Sequence, residues 1–374
     1  MDEQKPYIII SAIFDINRIN KSFKKRSLQS YILLFKWINE LNLPTILYTE
    51  THIIDKIDNR DDLIIIDQKI EELPNYKKLI NLNPTIPTNC KHLNKEYSAV
   101  ITSKFHLLNI SKQYILENKK EWIDYHLIWL DAGIAHVCTI PKLKFINDIQ
   151  LHIHNKISIV MMKATSNNEI SDINIFLSIN CGKIAAGIII CPWLEIQWIH
   201  DKINKLYDTT LNDLNKICLE EQFMAIITTN NKDRFKFIYS DYWMLPNLKY
   251  ITCNINTVID NLKYCRINNI RDIGMELLDI LLLSIKDAKY NIDSTQLCKL
   301  LYNGQILSYY VNKKLCKDLG LLIQYLYHNS SKCHEILSKY NNLSSNLIYV
   351  NIDINICDNN ILNTDLARYI WTEL

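Results

Sequence analysis

Short apolar runs that alternate with amphipathic segments are the feature that most constrains the fold of this chain. Residues 7–14 (YIIISAIF), 45–48 and 62–67 each form such a run, with the length expected of a buried strand. Between the first two, residues 22–42 carry apolar side chains at close to helical spacing and end before Pro44. Two strands joined by a helix form a βαβ unit, which predicts a parallel sheet with a right-handed crossover.

The same alternation continues along the chain. We predict helices at 96–118, 193–207 and 211–229, an ordered loop at 72–94, and further strands at 157–162, 173–179, 184–191 and 235–239. The predicted fold class is therefore α/β, with a mostly parallel central sheet flanked by helices. No G-x-G-x-x-G follows the first strand, which disfavours a dinucleotide-binding fold in the strict sense.

Charge and cysteine content exclude several classes of protein. The 374 residues carry a formal net charge of +2, which gives no electrostatic reason to expect a nucleic-acid partner. The 11 cysteines are odd in number and never form a C-x-x-C pair, so neither a disulfide framework nor a zinc site is indicated. The chain has no secretory pattern at its start and no apolar run of the ~20 residues that span a bilayer. We expect a soluble, cytoplasmic protein.

The sequence pattern changes near residue 255, where closely spaced helical segments replace the alternation of strands and helices. We predict two domains, 1–255 and 256–374, with the second mainly helical. Its predicted elements are helices at 256–268, 271–289, 294–302, 306–327, 332–340 and 364–374 and a short strand at 347–352. No catalytic constellation is found there, so acceptor recognition or oligomer contact is its expected role.

The most informative stretch is residues 126–133, HLIWLDAG. An apolar run of this kind is typical of a strand buried on both faces, and it places Asp131 at the carboxyl edge of the sheet, where α/β proteins bind ligands. A carboxylate there can hold a hard divalent cation that neutralises a diphosphate. The alternative is structural, because Asp also ends strands by starting a turn or capping a helix.

A second polar group, Glu220-Glu221-Gln222, lies within the largely apolar segment 211–229. Consecutive carboxylates on such a helix place at least one of them on its inner side, where a buried charge needs a partner or a ligand. The alternative is that Glu220 faces solvent and Glu221 caps the helix or pairs with a lysine.

Seven motifs, in order along residues 7–255, resemble the HtrL/YibB family of GT-A-like glycosyltransferases. They are IIISAIFDINR near the start, LYT at 47–49, SKF at 103–105, IWLDAGIAH at 128–136, AAGIII at 185–190, EEQ at 220–222 and SDYW at 240–243. The strong bias toward Ile, Asn and Lys is compatible with an AT-rich genome, and so with a viral member whose product works in host cytoplasm.

The resemblance implies a nucleotide-sugar donor, usually a uridine diphosphate sugar, a glycan or other hydroxyl acceptor, and Mn²⁺ or Mg²⁺. It implies Asp131 as the metal ligand and Glu221, Gln222 and Asp241 as catalytic residues, with Glu221 acting as a general base or as a hydrogen-bond partner of the donor sugar. The donor-binding residues it implies are Ser11, Asp15, Arg18, Thr49, Lys104, Gly133 and Gly187. Three of the chain's six glycines, Gly133, Gly182 and Gly187, fall in this region.

Two departures from the family pattern support a different outcome. Asp131-Ala132-Gly133 lacks the second carboxylate of a D-x-D motif, and no histidine lies between His200 and His328 to complete a metal site. The alternative function is a non-catalytic binding or structural protein that keeps the fold. His136 is a candidate replacement ligand if its loop folds back toward the metal.

Overall fold

The computed structural model describes residues 6–21, 27–87, 89–90, 93–137, 140–179, 182–240, 248, 255–286, 293–308, 311, 315, 319–320 and 323. The chain divides into two compact units, Met1–Thr252 and Cys253–Leu374. The predicted helices at 332–340 and 364–374, the strand at 347–352 and most of the helix at 306–327 lie outside the described residues.

In the described part of the first unit, seven strands form one sheet. Their bounds are β1 Tyr7–Ile13, β2 Thr45–Thr49, β3 Leu63–Asp67, β4 His126–Leu130, β5 Ile157–Met161, β6 Ile184–Cys191 and β7 Phe235–Tyr239. The strand order is β3-β2-β1-β4-β6-β5-β7. Strand β6 runs antiparallel to both of its neighbours, and the other pairs are parallel. The predicted α/β class with a mostly parallel sheet flanked by helices is therefore confirmed.

Helices cover the sheet and connect its strands. In this unit they are α1 Ile16–Ile19, α2 Leu28–Asn39, α3 Thr51–Ile54, α4 Pro74–Leu79, α5 Lys95–Thr102, α6 Lys104–Asn118, α7 Lys142–Gln150, α8 Asn167–Ile170, α9 Ile173–Phe176, α10 Ile196–Leu214 and α11 Glu220–Asn230. Helix α2 shows the sequence logic: Ser27 caps its first turn, and Ile32, Phe35 and Ile38 form its buried face at spacings of three residues.

Three local predictions were wrong, each for a physical reason. The segment 173–179 contains helix α9 and not a strand, because Asp172 caps the helix by accepting from the amide of Ile175. The predicted loop at 72–94 contains helix α4, which begins at Pro74, a residue favoured in the first turn of a helix. The predicted helix at 211–229 is two helices, since α10 ends at Leu214 with Asn215 in the left-handed conformation.

A fourth difference shapes the site. The single helix predicted at 96–118 is two helices, α5 and α6, which meet at Ser103. The Ser103 hydroxyl donates to the carbonyl of Ala99 at 2.6 Å, a side-chain bond of the kind that bends helices. The break re-aims α6, so that its first residue, Lys104, is buried.

The strand order places a topological switch point between β1 and β4. The chain adds β2 and β3 on one side of β1 and then returns to lay β4 on the other side. Connections that leave in opposite directions open a crevice at the carboxyl ends of two such strands, and α/β proteins bind ligands there.

The second unit is helical where it is described. Its helices are α12 Ile255–Ile267, α13 Arg271–Lys286 and α14 Ser294–Ser308. Two glycines allow them to pack closely, since a Cβ at Gly274 would lie 2.9 Å from Leu307 and one at Gly304 would lie 2.8 Å from Leu278. Leu277, Leu278 and Leu281 on α13 are buried. The described part of this unit fits the predicted helical C-terminal region.

Candidate functional site

A pocket of about 540 Å³ opens at the switch point of the sheet. Two segments that follow β1 and β4 line one side of it, with Phe14 and Ile16 from the first and Asp131 from the second. Helix α5 supplies Tyr97, Val100 and Ile101, and the start of helix α11 supplies its acidic end. The volume lies in the range of about 300–1,000 Å³ that is typical of small-molecule sites.

Asp131 stands directly after β4 and lines the pocket. Trp129 lies two residues earlier on the same face of the strand, so its indole N–H reaches Oδ1 of Asp131 at 2.7 Å. The backbone amide of Asp131 donates to the carbonyl of Gly187 on β6 at 2.9 Å. Asp131 is thus held by its backbone amide and by the Oδ1 atom of its carboxylate, while its side chain remains 40% exposed.

Lys104 also lines the pocket and contacts the same carboxylate. Its Nζ lies 2.9 Å from Oδ1 of Asp131, 2.5 Å from Oε1 of Glu220 and 3.1 Å from the carbonyl oxygen of Ala186. An ammonium group has three N–H donors, and these three acceptors match them. The lysine predicted to face a diphosphate is therefore committed to partners within the protein.

The charge of Lys104 is held by its partners. Burial by itself would lower the pKa of this amine, but the carboxylates of Asp131 and Glu220 outweigh burial and raise it above its ordinary value. We refer to Lys104, Asp131, Glu220 and Glu221 as the Lys104 cluster. With three carboxylates and one ammonium, the cluster is acidic when all four groups are ionised.

The two glutamates of the cluster occupy different environments in the first turn of α11, where the positive end of the helix dipole favours carboxylates. Both glutamates line the pocket, but Glu220 is buried against Lys104, whereas Glu221 is half-buried and accepts from the amide of Ala186 at 3.4 Å. Burial, followed by the charge of Glu220, raises the pKa of Glu221 to about 8. A carboxyl group with that pKa exchanges a proton near neutral pH.

Sequence reasoning missed aromatic lining residues. Tyr97 lies on the pocket wall, and burial, with the Glu220 charge second, raises the pKa of its phenol well above its ordinary value. Tyr31 on α2 and Trp129 on β4 also line the pocket. The helical spacing of Tyr97, Val100 and Ile101 was visible in the sequence, but apolar spacing of this kind looks the same whether it faces a core or a cavity.

Two predicted donor-binding residues have structural roles away from the pocket. The hydroxyl of Ser11 donates to the carbonyl of Leu130 at 2.7 Å, and the hydroxyl of Thr49 donates to the carbonyl of Ile13 at 2.8 Å. Both side chains are fully buried, and neither lines the pocket. Their hydroxyls join neighbouring strands at the carboxyl edge of the sheet.

Asp15 and Arg18 are likewise not brought to the pocket. Asp15 caps α1, and its backbone amide donates to Glu50 at 2.9 Å. Arg18 binds Glu50 at 2.5 Å and Glu71 at 2.7 Å through the same nitrogen, Nη2. We refer to Arg18, Glu50 and Glu71 as the Arg18 cluster. It ties the segment after β1 to the segments after β2 and β3.

Gln222, predicted to be catalytic, is buried and does not line the pocket. Its amide nitrogen donates to the carbonyls of Phe176 and Ile179 at 3.1 and 2.9 Å, and its amide oxygen accepts from the backbone of Leu219. It joins α11 to the segment around α9. Asp241, the other predicted catalytic residue, lies outside the described residues.

The three glycines singled out in the sequence, Gly133, Gly182 and Gly187, all line the pocket. Gly182 has a positive φ of 52°, which L side chains rarely adopt. Gly187 accepts the amide hydrogen of Asp131, so it sets the distance between the strand end and β6. His136 also lines the pocket, and its Nδ1 lies 2.5 Å from the carbonyl of Gly133.

Asp131 could hold a divalent cation at the pocket through one carboxylate oxygen. Oδ1 of Asp131 is taken by Trp129 and Lys104, which leaves Oδ2 outside both bonds. Among the described residues, no three His, Cys, Asp or Glu side chains are grouped to hold a metal ion. One carboxylate oxygen suffices when waters and substrate phosphates complete the coordination, as is usual for Mg²⁺.

None of the helices that the structure describes is both long and apolar enough to cross a membrane. No protein-family model matches the sequence, and no curated protein matches it. One similar solved structure is that of the galactosyltransferase LgtC in complex with donor and acceptor sugar analogues. The two chains are 12% identical, the match covers 62% of this chain and 72% of that chain, and the TM-score is 0.30. A likeness at this level assigns neither a family nor an activity.

Proposed function

We propose that this protein is a glycosyltransferase that moves a sugar from a nucleoside diphosphate donor, with a UDP-sugar favoured, to a hydroxyl group of a glycan or other acceptor. The observation that carries the proposal is the pocket at the carboxyl ends of β1 and β4 with Asp131 held at its edge. Ligands of α/β proteins bind at this kind of position. The ordered motifs that resemble the HtrL/YibB family give the proposal its chemical class.

In this proposal Asp131 is the attachment point for Mn²⁺ or Mg²⁺, through Oδ2. A bound cation would supply charge stabilisation to the leaving diphosphate. The apolar and aromatic wall formed by Phe14, Tyr31 and Tyr97 would hold the flat or apolar parts of the donor and exclude water. Gly133 and Gly187 would let the donor approach the backbone at the strand ends.

Glu221 is the proposed general base. It lines the pocket, and a carboxyl with a pKa of about 8 gains its base form as the pH rises toward that value. The acceptor oxygen forms a bond to the anomeric carbon, the bond from that carbon to the diphosphate oxygen breaks, and Glu221 takes the hydroxyl proton. Turnover is therefore expected to rise with pH up to about 8.

Donor binding provides the first experiment. Thermal unfolding is measured for the wild-type protein and Asp131→Asn against a panel of nucleoside diphosphate sugars, with and without Mn²⁺. Occupancy at 100 times Kd stabilises the folded state by about 2.7 kcal/mol, which is readily detected. A Mn²⁺-dependent shift with one donor that is lost in Asp131→Asn supports the proposal, and no shift with any donor contradicts it.

The second experiment separates binding from chemistry. Glu221→Gln should retain the donor-dependent shift in unfolding temperature but lose sugar transfer to an acceptor, because the amide cannot accept the hydroxyl proton. Lys183→Met is the control for changing a charged residue away from the pocket, since Lys183 is buried and its partners, Glu169 and the carbonyl of Ala164, do not line the pocket. Equal loss of transfer in both variants would contradict the assignment of Glu221.

The second candidate function is a non-catalytic nucleotide-sugar or glycan-binding protein. The contact that favours it is the 2.9 Å ion pair between Lys104 and Asp131, which places a resident positive charge beside the carboxylate that a cation would use. The same donor panel decides between the two candidates. Donor or glycan binding that is independent of Mn²⁺, without transfer to any acceptor, would select this function.

A further inference from the structure

We propose that Lys104 and Glu220 are positioning residues, which hold Asp131 so that only its Oδ2 atom is presented to the ligand in the pocket. The inference rests on the proposed function, because it assigns the control of the carboxylate that would receive the donor. It adds two residues, one on α6 and one on α11, which line the pocket and whose side chains are 4% and 5% exposed.

Oδ1 of Asp131 accepts from two donors of the protein. That oxygen accepts from the indole of Trp129 at 2.7 Å and from the ammonium of Lys104 at 2.9 Å. The terminal torsion of an Asp side chain is broad, so its carboxylate rotates unless hydrogen bonds fix the plane of the group. Two donors on one oxygen define the plane of the group and leave the other oxygen for a ligand.

Lys104 is itself held in place by partners other than Asp131. Its ammonium binds Glu220 at 2.5 Å and the carbonyl of Ala186 at 3.1 Å, in addition to Asp131. Both glutamates of α11 line the pocket, and Glu220 is the one that binds Lys104. Groups that orient a ligand-binding side chain in this way commonly change metal affinity or activity about 10–100-fold when they are removed.

The ion pair between Lys104 and Glu220 can be compared with apolar residues in its contribution to stability. A buried pair loses so much hydration that apolar residues of similar size usually stabilise a protein equally well. Side chains of 4% and 5% exposure, as in Lys104 and Glu220, are in this class. Apolar residues in place of Lys104 and Glu220 could not orient the carboxylate of Asp131, because they have no group that donates to it.

The test uses the double variant Lys104→Met/Glu220→Leu, which removes one positive and one negative charge and leaves the net charge of the pocket unchanged. Its crystal structure reports the side-chain orientation of Asp131, and calorimetry with Mn²⁺ and UDP reports binding. We expect Asp131 to leave its single orientation and binding of UDP with Mn²⁺ to weaken at least tenfold. In an Asp131→Asn background the same double change should have no further effect on binding.

Lys183→Met is the control for a general effect of losing a buried lysine, and it should bind as the wild type does. An unchanged orientation of Asp131 in the double variant overturns the inference, as does an equal loss of binding with and without Asp131. If the wild type binds no UDP with Mn²⁺, the proposed function fails, while the orientation of Asp131 still decides whether Lys104 and Glu220 position it.

Discussion

The Lys104 cluster and the Arg18 cluster are built from the same parts in different surroundings. In each, one cation binds two carboxylates at the carboxyl edge of the sheet. The Lys104 side chain is 4% exposed, whereas the Arg18 side chain is 40% exposed. Each cluster also has one buried and one accessible carboxylate, Glu220 and Asp131 in the first, Glu50 and Glu71 in the second.

The comparison shows that burial, and not the set of charges, determines the role of each cluster. Around Arg18, water screens the charges and the ion pairs serve to tie three loops together. Around Lys104, the low dielectric strengthens each contact and raises the penalty for losing a partner. The buried cluster also lines a pocket, so its partly exposed carboxylates, Asp131 and Glu221, are available to a ligand.

Removal of Lys104 is expected to have the largest effect. Lys104→Met leaves Glu220 buried without its cation, and loss of one partner of a buried pair typically destabilises a protein by about 3–5 kcal/mol. Chemical denaturation of the two proteins at pH 7 measures the difference. A loss below about 1 kcal/mol would remove the contrast between the two clusters.

The pH dependence of the two accessible glutamates should have opposite signs. The folded-state pKa of Glu221 is raised above its ordinary value of 4.5 to about 8, so its contribution to stability is full below about pH 4.5 and is lost as the pH rises through 8. Relative to wild type, Glu221→Gln should gain unfolding temperature between pH 5 and pH 9. Each kcal/mol corresponds to roughly 2–4 °C for a unit of this size.

Glu71 is the matched control for that experiment. The hydrogen bond from Arg18 lowers the pKa of Glu71, so its contribution is present above its ordinary pKa and is lost as the pH falls through the lowered value. Relative to wild type, Glu71→Gln should therefore lose stability at neutral pH and lose none in strong acid. If both variants change in the same direction with pH, the assignment of opposite environments is wrong.

A smaller effect is expected from Arg18→Gln. The guanidinium is well exposed, and Glu50 keeps the backbone amide of Asp15 as a donor at 2.9 Å. Exposed ion pairs contribute about 0–1 kcal/mol, so we expect a loss of about 1 kcal/mol in denaturant unfolding. A loss as large as that of Lys104→Met would show that exposure does not separate the clusters.

The smallest change is expected from Lys104→Met/Glu220→Leu. Replacing both members of a buried pair by apolar residues avoids an uncompensated charge, so its free energy of unfolding should lie within about 1 kcal/mol of wild type. Denaturant unfolding of the single and double variants gives the coupling between the two sites. If the double variant is as unstable as Lys104→Met, a packing defect and not the lost charge accounts for the single variant.

The sequence predicted those parts of the fold that depend on local pattern. Continuous apolar runs gave β1, β2, β4 and β6 nearly at their observed bounds, because a strand buried on both faces needs such runs. Segment 173–179 was wrong because an apolar run of that length suits a strand or a helix equally, and the cap at Asp172 decided it.

The site divides in the same way. By itself, the sequence determined that a carboxylate follows a buried strand at Asp131 and that Glu220 and Glu221 lie in a largely apolar helical segment, since each statement concerns neighbours along the chain. The structure showed that these two glutamates begin a helix. Only the tertiary structure decided that Ser11, Arg18 and Thr49 bind other parts of the protein, and that Lys104 reaches Asp131 and Glu220. The physical reason is that these residues lie far apart along the chain. The break at Ser103, the position of β6 beside β4 and the start of α11 together bring Lys104, Asp131 and Glu220 into contact, and no local sequence pattern predicts that contact.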